Sequence, residues 1–98
     1  MPIPIQKLNE AIRPLDERIV EFLQRNSGQA YNLFELYATL EGFDAQGLRM
    51  KYFLDPQNGA IRARVGSYVQ TLIALCRDGK VVEAQHQGET YYGLAGGR

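Results

Sequence analysis

The chain has one cysteine, one histidine and no tryptophan among its 98 residues. Cys76 has no second thiol to pair with, which fits a reducing compartment, so a cytoplasmic protein is expected. One His and one Cys leave little material for zinc sets or nucleophilic triads, and no metal or other cofactor is expected. Gly66-Ser67 lacks the flanking glycine of a nucleophile elbow, no glycine-rich phosphate loop precedes a helix, and the carboxylates are scattered. The expectation is that the chain is not an enzyme. No apolar run approaches the roughly 18 residues that a membrane span needs, and Met1-Pro2-Ile3-Pro4-Ile5 lacks the cationic stretch of a signal peptide. Net charge is also missing: 11 Lys and Arg balance 11 Asp and Glu. That excludes a simple polycation but leaves room for a local basic face.

What is present is ordinary globular material, 45% hydrophobic and 22% charged, without repeats or low-complexity tracts. Residues 1–98 are read as a single domain, divided into an arm at 1–13, a core at 15–94 and a frayed tail at 95–98. Ile5, Leu8 and Ile12 have helix-like spacing and little to pack against, so a homodimer contact through this short N-terminal helix or arm is expected.

From Pro14 to Asn26, Leu15, Ile19, Phe22 and Leu23 form an apolar stripe, and Asp16 and Glu17 suit the positive end of a helix dipole. Gly28 is available to end that helix in a left-handed turn. Asn32 with Glu35 three residues later has the spacing of a capping box, opening a helix over roughly 33–41 that stops at Gly42. Residues 43–59 read as a short helix and a turn, although Asn58-Gly59 is also a hairpin signal. The longest helix is expected over 60–78. Ile61, Val65, Val69, Leu72, Ile73 and Cys76 are assigned to its buried stripe, with Leu75 on the flank. Asp78-Gly79 ends it, and two strands follow, 80–85 and 90–94, joined through Gln87-Gly88-Glu89.

The order of three helices and a hairpin is α+β. The run Val69-Gln70-Thr71-Leu72-Ile73-Ala74-Leu75-Cys76-Arg77-Asp78-Gly79-Lys80-Val81-Val82 resembles the third helix and first wing strand of a winged helix-turn-helix domain. Ala30-Tyr31-Asn32-Leu33-Phe34-Glu35-Leu36 is similar to that family's lead-in between helices one and two, and the resemblance spans about residues 15–94. It implies a three-helix winged helix-turn-helix fold with a C-terminal β-hairpin wing. It also implies a third helix placed in the major groove of DNA, with the wing on backbone or minor groove.

Charge is polarised along the chain. Residues 45–77 hold Arg49, Lys51, Arg62, Arg64 and Arg77 against Asp55 alone, whereas residues 15–44 hold six carboxylates against two arginines. Phosphate neutralisation needs that local density, whatever the total charge, but a solvated basic helix face would look the same. On the third helix, Ala63, Ser67, Gln70 and Ala74 are assigned to an outer face bordered by Arg64, Thr71 and Arg77. Gln70 suits adenine, and Arg64 suits guanine or a phosphate. Arg62, Arg64, Ser67, Gln70 and Thr71 are therefore assigned to the groove, and Arg49, Lys51 and Arg77 to phosphate. Tyr68, Tyr91 and Tyr92 offer rings for bases, but tyrosines commonly straddle a core edge instead. His86 reads as a turn residue and Cys76 as a small core residue.

The functional expectation is sequence-specific binding of double-stranded DNA by a small transcriptional regulator. The rival is a winged helix that serves as a protein-interaction module in a larger assembly. Neutral charge and a wing tip, His86 to Thr90, without Arg or Lys favour that rival.

Overall fold

The computed structural model of the chain describes residues 14–96. The arm at 1–13, with the expected dimer contact at Ile5, Leu8 and Ile12, lies outside the described residues, as do 97 and 98 of the tail. The order is α1 (Leu15–Arg25), α2 (Leu33–Glu41), α3 (Ala45–Leu54), α4 (Gly59–Arg77), β1 (Val81–His86) and β2 (Glu89–Leu94). The described residues thus form a small α+β fold with four helices, not the three expected, because the stretch after Gly42 folds as a helix of its own.

Local chemistry explains most of these boundaries. At α2 the Asn32 side chain accepts from the Glu35 amide, and the Glu35 carboxylate accepts from the Asn32 amide, which completes the capping box. Gly42 closes α2 at φ 80°, a left-handed conformation that costs a residue with a Cβ. Only Phe43 and Asp44 then remain before α3, and the Asp44 carboxylate caps it through the Gly47 amide. Asn58 does not make a hairpin. Its side chain accepts from the Ile61 amide and starts α4.

The two strands pair antiparallel with Val81 opposite Leu94 and His86 opposite Glu89, leaving Gln87-Gly88 as the turn. Both turn residues have positive φ, 53° and 81°, as the tight hairpin turn with matching twist requires. Tyr31, between α1 and α2, exchanges two backbone bonds with Tyr92 at 2.9 and 2.8 Å, so the hairpin is tied to the helical layer through β2.

Ile19 and Leu23 of α1, Leu36, Tyr37 and Ala38 of α2, and Leu48 of α3 meet α4 and Val81 in one hydrophobic cluster. Each fully buried leucine there contributes about 1.5–3 kcal/mol of burial free energy. The inward side of α4 is Val65, Tyr68, Leu72 and Leu75. The expected stripe was therefore turned away from the true one. Val69 is 36% and Ile73 57% exposed, and Leu75 is buried rather than flanking. Tyr68 sets this rotation: its ring stacks on Tyr37 with centroids 5.0 Å apart, and it is fully buried. No helix among the described residues is long and apolar enough to cross a membrane.

Candidate nucleic-acid interface

Rotating α4 sorts its polar residues into two groups. Arg64 lies at the edge of the core side, where its Nε donates to Glu41 Oε2 at 2.7 Å and its guanidinium sits 5.4 Å from the centre of the Tyr68 ring. The Tyr68 hydroxyl donates to the same oxygen, also at 2.7 Å. Burial, then the bond and charge of Glu41, push that hydroxyl well above the ordinary tyrosine range. The expectation that Arg64 projects away from the apolar stripe is therefore corrected. It fastens the end of α2 to the middle of α4.

The outward group is Ala63, Ser67 and Gln70, all exposed, with Ala74 half-buried behind them. Ser67 donates back to the Ala63 carbonyl at 3.2 Å, and Thr71 to the Ser67 carbonyl at 2.7 Å. Their hydroxyl protons are thereby used within the helix. Gln70, among the described residues, makes no side-chain hydrogen bond and keeps both donor and acceptor for a ligand.

Two exposed arginines bracket this face. Arg62 donates to the carbonyls of Pro56 at 2.9 Å and Tyr52 at 3.3 Å and lies 4.8 Å from the Tyr52 ring centre. Carbonyl acceptors hold the guanidinium in place without neutralising it. Arg77 has only a long contact to Asp78, 3.7 Å, with both side chains mostly in water. Fifteen residues of helix put roughly 22 Å between their Cα atoms.

The remaining two assigned cations stand on α3. Lys51 is exposed. Arg49 lies 5.7 Å from the Phe34 ring centre and 5.9 Å from that of Phe53, and it is paired with Glu89 at the start of β2. Glu89 also accepts from Asn32 at 3.4 Å and Tyr91 at 3.3 Å. The Arg49 bond, foremost among these, holds the Glu89 carboxyl below its ordinary range. Sequence reasoning missed Glu89 and Glu41 as partners. They lie 40 and 23 positions from their arginines, and no spacing rule reaches that far.

β1 is exposed from Val82 to His86, so the hairpin projects beside the C-terminal end of α4. His86 stands edge-on to Tyr91 at 6.0 Å. Tyr92 is half-buried, and burial raises the Cys76 thiol, which leaves little reactive thiolate. Among the described residues, no group of three His, Cys, Asp or Glu side chains is placed to hold a metal ion. No protein-family model, no curated protein and no solved structure matches this chain.

Proposed function

We propose that the chain is a winged-helix-type domain that binds double-stranded DNA and acts as a small transcriptional regulator. One observation carries the reading: α4 turns outward a face of small side chains around an unbonded Gln70, with charged Arg62 and Arg77 at either end. Small side chains let a helix backbone approach the base edges, and flanking cations meet phosphates. A hairpin leaving the end of the same helix has the order of a wing. In this reading Arg62, Ser67 and Gln70 face the groove, and Arg77 meets phosphate. Arg64 and Thr71 hold the helix in place, and Arg49 holds the wing through Glu89.

A low-salt titration on duplex DNA tests the proposal. Arg77→Ala should weaken binding to every duplex and lower the log–log salt slope by about one. Gln70→Ala should cost roughly 1–3 kcal/mol on a preferred site and leave nonspecific binding nearly unchanged. A folded wild type without affinity for duplex at about 50 mM salt defeats the proposal, since counterion release is strongest there. A protein-interaction module is the second reading. The exposed Val69 and Ile73 beside the polar face favour it, together with the neutralisation of Arg49 and Arg64 within the fold.

A further inference from the structure

Helix α3 turns a large apolar surface to solvent. Leu48 is buried on its inner side, while Met50, Phe53 and Leu54 on the opposite side are 53%, 61% and 75% exposed. The patch continues inward, because Phe53 contacts Phe34 at 6.2 Å between centroids and Tyr52 at 5.1 Å. Large aromatic, Leu and Met side chains gathered on one exposed turn mark a contact surface rather than a random scatter.

The charges at its edge indicate what covers it. At 100° per residue, Lys51 and Asp55 fall on the same edge of this face, one turn apart, two residues before Phe53 and two after it. Both are exposed, and among the described residues neither has an ion-pair partner. An acidic partner helix would match Lys51 but meet repulsion at Asp55, and a basic one the reverse. A second copy of the same helix, run antiparallel about a twofold axis through Phe53, matches both. Each Lys51 then faces the partner's Asp55, and the apolar side chains close over each other along the axis.

We propose that α3 is an isologous dimer interface, with Phe53 at its centre and Lys51 paired to the partner's Asp55 on each side. The patch is small, so association falls in the range of about 10–100 µM. The inference does not depend on DNA binding.

Sedimentation of the full chain over about 5–500 µM, without DNA, tests it against that range. The wild type should pass from monomer to dimer. Phe53→Glu should remain monomeric, with an unchanged helical circular dichroism spectrum because the side chain is exposed. Lys51→Glu and Asp55→Lys, each alone, should weaken dimerisation about tenfold, since each turns two attractive contacts into two repulsive ones. Mixing these two variants in equal amounts should restore wild-type association, because both edges of the mixed dimer then carry opposite charges. A wild type that stays monomeric throughout overturns the inference. So does a Phe53→Glu protein that still dimerises, or a mixture that associates no better than its components.

Discussion

Tyr68→Phe isolates one hydroxyl at the point where α2 and α4 are joined. The phenyl ring can still stack on Tyr37, so packing is preserved and the loss is confined to the bond with Glu41 Oε2 at 2.7 Å. A hydrogen bond to a charged acceptor is worth about 1.5–3 kcal/mol. Glu41 keeps its bond to Arg64, and that pair is partly in water, with side chains 37% and 20% exposed, so part of the loss is made good. The expected cost is about 1–2 kcal/mol, read by urea denaturation, or roughly 4–15 °C in Tm for a domain of this length.

Alkaline pH gives a second reading of the same group. The folded-state pKa of Tyr68 is raised above the ordinary 10.0, so its contribution is complete below pH 10 and is lost as the pH rises toward the folded value. The wild type should therefore lose stability above pH 10 along a steeper limb than Tyr68→Phe. Because Arg64 and Tyr68 share one carboxylate oxygen, Tyr68→Phe should cost much less in a Glu41→Ala background. An equal cost in both backgrounds, or a change below about 0.3 kcal/mol in the wild type, would refute the reasoning.

Two further outcomes follow from the caps and the wing tether. Asn32→Ala removes the capping-box acceptor and should cost about 1 kcal/mol in chemical denaturation, with Asn32→Gly recovering most of it. The Glu89 carboxyl is depressed by Arg49, so the tether is complete above its ordinary pKa of 4.5 and fails as the pH falls through the depressed folded value. Amide exchange in β1 and β2 should accelerate in that acid window for the wild type, while Glu89→Gln should exchange faster already at neutral pH.

Much of the fold is written in short-range chemistry. The Asn32–Glu35 spacing, the glycines at 42 and 79 and the turn at 87–88 act within four residues, so sequence alone places α2, the end of α4 and the hairpin. Asn58 shows where this stops. The same Asn-Gly pair serves a hairpin or a helix cap, and the chain after it, apolar at helical spacing, selects the cap.

The face that α4 buries was not determined by its own residues. Val65, Val69, Leu72, Ile73 and Leu75 are apolar around more than half of the helix, so several rotations satisfy the periodicity nearly equally. Tyr37 and Glu41, brought in by α2, break that degeneracy because Tyr68 can bury its ring only where its hydroxyl finds an acceptor. The same long-range placement removes Arg49 and Arg64 from the free basic charge that counting along the chain assigns to DNA. Sequence alone gave the type of residue on offer. Which cations and apolar side chains remain available to a partner was decided by contacts between residues 23 and 40 positions apart, which only tertiary packing brings within bonding distance.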